Sequence, residues 1–401
     1  MIEGSWRNVA AAAGLLGPDG RPAPTIFARM SALAASTGAI NLGQGFPDTD
    51  GPASVLEAAV AAIRGGANQY PPVRGIPALR AAVAEHQRRW YGLDVDPETE
   101  VLVTAGATEA LTATILALCS PGDEVVVLEP FYDSYAAAIA MAGAVRRVVP
   151  LTWPDYRLDA AALAAAITDR TRLLLINTPH NPTGRVLDAA ELAAIAELAQ
   201  RHDLIVVTDE VYEHLVFAPA VHRPLASLPG MPERTITISS AGKTFSVTGW
   251  KIGWLHARPD LVEAIAAVKQ FLTFVNGSPF QPAIAQALLL PEPDLLAIAA
   301  DLHHRSALLT SGLLAAGFDV RASEGSYFVI ADASPLGYAD GEAFCRELPA
   351  LAGVVAVPVQ AFQDNPAAAS SLVRFACCKR PEVIKDAAER LAGLRRTRAR
   401  S

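Results

Sequence analysis

Short apolar runs alternate with longer Ala- and Leu-rich segments of helical period from about residue 100 onward. This alternation is typical of a mainly parallel sheet whose faces are covered by helices. The apolar runs predict seven strands, at residues 101–105, 124–129, 145–151, 172–177, 204–208, 235–239 and 251–257. The other segments predict helices near residues 107–119, 133–142, 158–167, 188–202, 259–274 and 279–290.

Two further features refine this α/β prediction. No helical segment separates the last two strands, so one of them should run antiparallel to the rest of the sheet. Alternating strands with short helices return at residues 312–332 and 354–377, which predicts a smaller α+β domain. We therefore expect an N-terminal arm with part of the small domain (1–50), a large domain with the seven-stranded sheet (51–300) and a small C-terminal domain (301–401).

Composition excludes several classes of protein. Of the 401 residues, 51% are hydrophobic and 18% are charged, which excludes a disordered chain or a coiled coil. The formal net charge of -8 supplies no global positive field, so neither nucleic acid nor a membrane surface is an expected partner. No apolar run approaches the roughly 18 residues of a membrane span. The four cysteines lack CxxC spacing, which predicts reduced thiols in a cytoplasmic chain.

The histidines and the chain ends offer no chemistry of their own. No metal site is expected, because no ligand spacing to cysteines or carboxylates occurs at His202, His214, His222, His303 and His304. The N-terminus is interpreted as a mobile arm. The arginine-rich tail at residues 390–400 is interpreted as a solvated helix end.

Polar residues follow five of the predicted strands, at the edge where open α/β sheets bind their ligands. They are Gly106-Ala107-Thr108, Phe131-Tyr132, residues 177–182, Asp209-Glu210-Val211-Tyr212 and residues 239–243. Because these loops converge, they predict one site. The turn at Ala107 and Thr108 opens a helix whose N-terminus favours a phosphate, with an ordinary N-cap as the alternative.

Lys243 and Asp209 indicate the chemistry of that site. Lys243 follows an apolar strand, where loss of water lowers the pKa of a lysine and makes it a nucleophile toward carbonyl groups. A snorkelling or salt-bridged cation is the alternative. Asp209 ends a neighbouring apolar strand, and a buried carboxylate needs a positive or donating partner. A pyridinium would be such a partner, held protonated by Asp209 so that its ring becomes an electron sink.

The remaining polar groups fit the same ligand. Tyr212 and Asn181 would donate to a phenolic oxygen, Tyr132 would stack on the ring, and Ser240 with Lys251 would add phosphate contacts. This constellation is that of pyridoxal phosphate.

Arg374 is the second unusual charge. It lies on the apolar run of residues 372–377, where an unpaired guanidinium would be costly. The guanidinium group is a planar, two-pronged donor, and beside a small-molecule pocket it suits a ligand carboxylate. The alternative is an ion pair between this arginine and a glutamate of the same chain.

An ordered set of motifs gives the chain a strong resemblance to the fold-type I, class I/II aminotransferases, over about residues 25–395. The branch it resembles holds kynurenine, methionine and N-succinyldiaminopimelate aminotransferases. The motifs lie at residues 41–48, 68–70, 129–133, 177–184, 209–212 and 240–254. The resemblance implies a PLP-dependent homodimer with two shared active sites, acting on an amino acid and a 2-oxo acid, with some cis bonds in the 177–182 loop.

The resemblance also implies residue roles. The catalytic residues would be Lys243, which bonds to the cofactor, Asp209 and Tyr212. The other cofactor contacts would be Ala107, Thr108, Tyr132, Asn181, Ser240 and Lys251, with Tyr70 arriving from the other subunit. The substrate contacts would be Gly45, Asn181 and Arg374 at the carboxylate, with Phe27 and Phe274 in the aromatic lining.

The sequence departs from the family pattern at two places, one near the phosphate and one near the substrate. Many class I aminotransferases carry Arg where this chain has Lys251, although the kynurenine-type branch also uses Lys. Kynurenine-type enzymes place a Phe-His pair near the substrate, whereas the equivalent here is Phe274-Val275. The aromatic lining favours a neutral or aromatic amino donor. Arg29, Arg74 or another arginine not assigned from the sequence would admit a distal carboxylate, as in N-succinyldiaminopimelate.

The expected activity is amino-group transfer by a ping-pong mechanism, with Lys243 as the proton shuttle. Two alternatives stay within PLP chemistry, β-elimination from cysteine conjugates and an oxygen-using oxidase. A non-catalytic ligand-binding regulator is the alternative from another class.

Overall fold

A computed structural model describes residues 4–17 and 19–394, so the predicted tail beyond residue 394 lies outside the described chain. The helices are α1 (Trp6–Ala12), α2 (Ile26–Thr37), α3 (Ala53–Arg64), α4 (Pro77–Tyr91), α5 (Gly106–Leu118), α6 (Asp133–Met141), α7 (Ala160–Ala166), α8 (Ala189–Arg201), α9 (Ala241–Thr244), α10 (Pro259–Lys269), α11 (Phe280–Leu288), α12 (Glu292–Ala316), α13 (Gly341–Ala352) and α14 (Pro381–Ala392). The strands are β1 (Ile40–Asn41), β2 (Val101–Thr104), β3 (Glu124–Glu129), β4 (Val145–Pro150), β5 (Thr171–Asn177), β6 (Ile205–Asp209), β7 (Thr235–Ser240), β8 (Gly253–His256), β9 (Asp319–Arg321), β10 (Phe328–Asp332), β11 (Val354–Val355), β12 (Val357–Pro358) and β13 (Leu372–Ala376).

The seven predicted strands form one sheet in the order β2-β8-β7-β6-β5-β3-β4. Strand β8 runs antiparallel to both neighbours, and the other paired strands are parallel, which confirms the mainly parallel prediction. Every residue of β3 and β7 is buried, because helices cover both faces of the sheet. This double coverage explains why the strands read as continuous apolar runs.

The register of the sheet brings the polar strand ends together. Asn177 at the end of β5 lies opposite Asp209 at the end of β6. On the next strands, Ser240 and Thr104 both lie opposite Gly253. The loops that follow β2, β5, β6 and β7 therefore begin side by side at one edge.

A smaller antiparallel sheet, in the order β12-β13-β10-β9, forms the α+β part of the chain. The N-terminal segment joins it, since Ile40 on β1 pairs in parallel with Val354 on β11. Met30 and Ala34 of α2 share the hydrophobic core of this C-terminal part. The architecture is the predicted α/β fold with a second, smaller α+β unit.

Local signals set several helix boundaries. Helix α8 begins with a capping box, in which Asp188 accepts backbone N–H groups and Glu191 accepts the N–H of Asp188. Helices α4 and α12 end at Gly92 and Gly317, both left-handed, which a residue without a Cβ adopts freely.

The structure differs from the sequence predictions at three places. Helix α10 ends at Lys269 instead of residue 274, and Phe274 has a positive φ of 65°. Helices α2, α3, α4, α12 and α13 were not among the predicted helices. The expected mobile arm contains helix α1, which lies against α6, with Ala12 packed against the core beneath the sheet.

Among the described residues, no single helix is long and apolar enough to cross a membrane. Helices α11 and α12 taken together have the length and apolar composition of a membrane span, but a bend of 93° separates them.

Candidate active site

A pocket of about 360 Å³ lies at the carboxyl edge of the seven-stranded sheet. It collects the loops that follow the parallel strands, together with residues of the N-terminal segment and of β13. The predicted site residues that line it are Phe27, Gly45, Ala107, Thr108, Tyr132, Asn181, Asp209, Tyr212, Ser240, Lys243, Lys251 and Arg374. Sequence positions more than 300 residues apart thus meet in one cavity.

Asp209 is a buried carboxyl group at the end of β6. Its Oδ2 accepts a hydrogen bond of 2.6 Å from the Tyr135 hydroxyl, and its backbone oxygen accepts one from Asn177. Burial raises the pKa of Asp209 to about 6, and the Tyr135 bond opposes that rise. Within the described residues Asp209 has no ion pair, so its charge is available to a cationic ring nitrogen.

Lys243 lies on α9, directly after β7. Its Nζ donates to the Tyr327 hydroxyl at 2.8 Å and lies 3.4 Å from the Gly45 carbonyl oxygen. Burial lowers the pKa of Lys243 to about 8. An appreciable fraction of the amine is therefore neutral near neutral pH, which is the form that attacks a carbonyl carbon.

The N-terminus of α5 and Lys251 also line the pocket. Ala107 and Thr108 belong to the first turn of this 13-residue helix, whose N–H groups have no intrahelical acceptors. Lys251 has a left-handed backbone, with φ of 54° and ψ of 45°, and lines the same pocket with Ser240. Free N–H groups, a helix dipole and an ammonium group suit a phosphate.

Two glycines permit this close approach. A Cβ on Gly253 would lie 2.6 Å from the carbonyl carbon of Gly106, so β8 packs directly on the start of α5. Gly106 has a positive φ of 75°, and a Cβ there would lie 3.1 Å from Lys251 Nζ. The glycines therefore leave the room that Lys251 uses.

Arg374 is almost fully buried, at 1% exposure, on β13. Its Nη1 donates to Asn181 Oδ1 at 3.0 Å and its Nη2 to the Gly43 carbonyl oxygen at 2.9 Å. No carboxylate of the described residues forms an ion pair with it, and its Nε has no hydrogen-bond partner there. The internal Arg–Glu alternative is therefore absent from the described chain, and the guanidinium suits a ligand carboxylate.

The chemistry of these groups fits pyridoxal phosphate. A buried carboxyl without an ion pair faces the same cavity as a buried lysine of lowered pKa. Thr108, in the first turn of α5, and Lys251 line the same cavity, and Lys251 Nζ lies beside Gly106 at the start of that helix. The cofactor supplies an electron sink when it is bound.

A model of the aminotransferase class I and II family matches residues 37–391. The chain belongs to this family. It is an enzyme that transfers amino groups and depends on pyridoxal phosphate, on a fold-type I architecture.

Similar proteins cover nearly the whole aminotransferase chain. The probable N-succinyldiaminopimelate aminotransferase of Mycobacterium tuberculosis is 55% identical, across 93% of this chain and 96% of its own length. The methionine aminotransferase of Escherichia coli is 40% identical, across 92% and 96%. A solved structure of the M. tuberculosis N-succinyldiaminopimelate aminotransferase has a TM-score of 0.90 and covers 93% of this chain and 97% of its own.

Sequence reasoning missed several aromatic residues that line this aminotransferase pocket or contact its charged groups. Tyr135 holds Asp209, and Tyr327 contacts Lys243. The guanidinium carbon of Arg374 lies 4.0 Å from the ring centroid of Phe328 and 4.7 Å from that of Phe362. Tyr135 had a signal, since it follows Tyr132 by three residues on a helix, but the others come from distant segments.

Tyr70 and Phe274 do not line the pocket of their own chain. Tyr70 is 81% exposed and Phe274 is 42% exposed, and their rings pack edge to face at 5.4 Å. Phe274 was predicted as a substrate contact, but the positive φ where α10 gives way to a turn directs it to this surface pair.

The other predicted groups have partners elsewhere. Arg29 pairs with Glu342, and Arg74 donates to the backbone oxygens of Glu98 and Thr99. His180 is buried in the active-site loop, where its Nδ1 lies 2.8 Å from Thr183 Oγ1. The peptide bonds Thr178–Pro179 and Asn181–Pro182 in this loop are cis, as the resemblance implied.

Proposed function

We propose that the aminotransferase acts on an L-amino acid of the N-succinyldiaminopimelate type and a 2-oxo acid, by a ping-pong mechanism. The 55% identity with the M. tuberculosis relative, across nearly the full length of both chains, supports this donor. The buried Arg374, without an ion-paired carboxylate in the described chain, is the observation that carries α-carboxylate binding.

The following residue roles are part of the proposal. Lys243 bonds to the cofactor and moves the substrate proton, since burial lowers its pKa to about 8. Asp209 keeps the ring nitrogen protonated. The remaining cofactor contacts are Tyr212 and Asn181 at the phenolic oxygen, Tyr132 on the ring face, and Ala107, Thr108, Ser240 and Lys251 at the phosphate.

The substrate contacts divide by function. Arg374, Asn181 and the backbone of Gly45 hold the α-carboxylate, which all donors share. Phe27 lies 5.4 Å from the Arg374 guanidinium and lines the side of the pocket nearest that group. Neither Arg29 nor Arg74 is part of the proposed pocket, because both are engaged with other groups of the chain.

A donor panel tests the substrate proposal. We expect N-succinyl-diaminopimelate to give the highest kcat/KM with oxoglutarate as acceptor, above methionine and kynurenine. Pyruvate in place of oxoglutarate separates donor preference from acceptor preference. A higher kcat/KM for methionine or kynurenine with both acceptors would contradict the proposed donor, while leaving amino-group transfer intact.

A homodimer with shared sites is also proposed. Tyr70 is 81% exposed and packs on Phe274, and Phe271, three residues before Phe274, is 85% exposed, so exposed aromatic side chains are available here to a partner subunit. In that dimer Tyr70 reaches the phosphate of the partner's cofactor. Phe274 would then reach the partner's substrate.

Mixed dimers test the shared site. We would combine a Lys243→Ala chain with a Tyr70→Phe chain. The intact Lys243 then receives an intact Tyr70 only if Tyr70 acts across the interface. If Tyr70 acts across the interface, the mixed dimer should have the wild-type activity for each intact Lys243. Activity as low as that of the Tyr70→Phe homodimer would show that Tyr70 acts within its own chain.

Compartment and domain boundaries complete the proposal. A cytoplasmic location agrees with four free cysteines, three of them buried. The pairing of β1 with β11 supports grouping residues 1–50 with the C-terminal part, and the small sheet lies within residues 301–401. The boundary after residue 300 falls inside α12, so that helix joins the two proposed domains.

A further inference from the structure

A cluster of metal-ligating side chains lies between α4 and the segment that follows Tyr212, and none of its three residues lines the pocket. Helix α4 contributes His86, and the turn after β6 contributes Glu213 and His214. One ligand atom from each residue lies within 4.8 Å of the other two. We propose that His86, Glu213 and His214 bind a divalent transition-metal ion, with Zn²⁺ as the preferred class.

The two imidazole rings converge on one point. The Nε2 atoms of His86 and His214 lie 2.6 Å apart, which is below the usual range for an N–H hydrogen bond. Tetrahedral zinc with bonds of about 2.0–2.1 Å requires roughly 3.3 Å between two ligand nitrogens. His214 is only partly buried, with its ring edge to face against Trp90, so the displacement of less than about 1 Å that this spacing requires falls on the more exposed of the two rings.

Gln87 offers the hydrogen bond that a metal-bound imidazole needs. Its side-chain oxygen Oε1 is buried and has no hydrogen-bond partner among the described residues. Its Nε2 lies 3.4 Å from His86 Nδ1, so rotation of the amide by half a turn brings Oε1 to that nitrogen. Oε1 then accepts from Nδ1–H, which leaves the lone pair of His86 Nε2 for the metal.

Glu213 is fixed in its orientation but keeps ligand capacity. Its Oε2 accepts from the Tyr91 hydroxyl at 2.8 Å, and its Oε1 accepts from Ser239 at 2.5 Å. Each carboxylate oxygen has a second lone pair. Three protein ligands, two nitrogens and one oxygen, with one further position for water or a fourth ligand, are a set that zinc accepts.

Such an ion would link α4 to the segment that carries Asp209 and Tyr212. Glu213 and His214 directly follow Tyr212 on the same chain segment. A bound ion therefore stabilises the folded enzyme by mass action and leaves the pocket composition unchanged. The inference does not depend on which amino donor the enzyme uses.

The test uses the PLP-loaded, tag-free enzyme with Zn²⁺ and Co²⁺ as probes. We expect one ion per chain in calorimetry with Zn²⁺, a higher Tm, and visible d–d absorption with Co²⁺. His86→Gln and His214→Gln should each weaken Zn²⁺ binding more than about a hundredfold, and Gln87→Leu roughly tenfold. His202→Gln, an exposed histidine outside the cluster, is the matched control and should bind as the wild type does.

Two results would overturn the proposal. The first is the absence of saturable Zn²⁺ binding to the wild type, which would mean that His86 donates directly to His214. The second is binding that both histidine variants retain. If those variants do not fold, the X-ray absorption spectrum of the wild-type Zn²⁺ complex decides, because two imidazoles must appear among its ligands.

Discussion

At the scale of single residues, the reactivity of Lys243 depends on its two oxygen neighbours. The Tyr327 hydroxyl donates to the Gly45 oxygen at 2.5 Å, so its only hydrogen is used there and its oxygen accepts from Lys243. A neutral amine has two hydrogens, and Tyr327 and Gly45 provide two acceptors. The lone pair of Lys243 is then left for the carbonyl carbon that it attacks.

Tyr327→Phe should lower the pKa of Lys243 below about 8, because the lost acceptor had favoured the protonated amine. Capture of pyridoxal phosphate by the cofactor-free enzyme requires the neutral amine, so its rate should rise with pH through that value. We expect the midpoint to fall by roughly half to one pH unit, as one hydrogen bond is worth about 0.5–1.5 kcal/mol. Stopped-flow absorbance measures it.

Tyr156→Phe is the matched control, since Tyr156 is buried and its hydroxyl has no partner among the described residues. An unchanged midpoint in Tyr327→Phe, or an equal shift in both variants, would disprove the role assigned to Tyr327.

Lys243 and Asp209 could be predicted from the sequence, whereas Tyr327 could not. Lys243 and Asp209 are charges beside apolar strands, and burial of a charge is visible in the local sequence. Tyr327 acts on Lys243 from 84 positions away, and an aromatic residue on an apolar strand is ordinary core. Its function depends on a tertiary contact that no local pattern contains.

At the scale of elements, the phosphate end of the site depends on how closely β8 approaches α5. Gly253 lies opposite both Thr104 and Ser240, in the middle of three strands. A methyl group there would meet the Gly106 backbone at 2.6 Å, and backbone cannot rotate away as a flexible side chain does. The strand or the helix would have to shift, and Lys251 with it.

Gly253→Ala should therefore weaken cofactor binding and lower the Tm. Overpacking of this kind costs about 1–3 kcal/mol, which we expect to divide between fold stability and the Kd for pyridoxal phosphate. Thermal unfolding with and without added cofactor, followed by a fluorescence titration, measures both.

Gly249→Ala provides the control, because a Cβ at Gly249 would meet no atom within 4 Å in the same segment. Equal behaviour of the two variants would show that the approach of β8 to α5 does not set phosphate affinity.

Strands were easier to predict than helices in this chain. The central strands are buried on both faces, so their apolar runs mark them directly, and the missing helix between β7 and β8 indicated the antiparallel strand. Helix α12 was missed although it has 25 residues, since polar positions are distributed along both of its faces. Helix α10 was predicted too long, because the positive φ at Phe274 has no sequence signature.

At the scale of the molecule, the site is built where distant parts of the chain meet. Arg374 on the C-terminal sheet donates to Gly43 in the N-terminal segment and to Asn181 in a loop of the large sheet. The carboxylate site is thus complete only when these three parts are assembled. The geometry of the carboxylate site therefore could not be predicted from the sequence of any one of these parts.

Arg374→Lys should impair all amino donors together, because every donor carries the α-carboxylate. A lysine keeps the charge but loses the two-pronged contact, and a charge-assisted hydrogen bond of about 1.5–3 kcal/mol corresponds to about a ten- to hundredfold loss in kcat/KM. The contrast variant is Phe46→Leu, on the half-exposed side of the pocket, which should reorder donors without a uniform loss. Loss confined to dicarboxylic donors in Arg374→Lys would mean that Arg374 binds the side chain.

The most direct test of the central claim is to find which lysine holds the cofactor. The chain has five lysines, at positions 243, 251, 269, 379 and 385, so borohydride reduction of the holoenzyme followed by peptide mass spectrometry gives an unambiguous assignment. The structure predicts that the reduced cofactor is found on Lys243, and that Lys243→Ala is folded but inactive. Fixation to Lys251 or any other lysine, or turnover that survives in Lys243→Ala, would contradict the account.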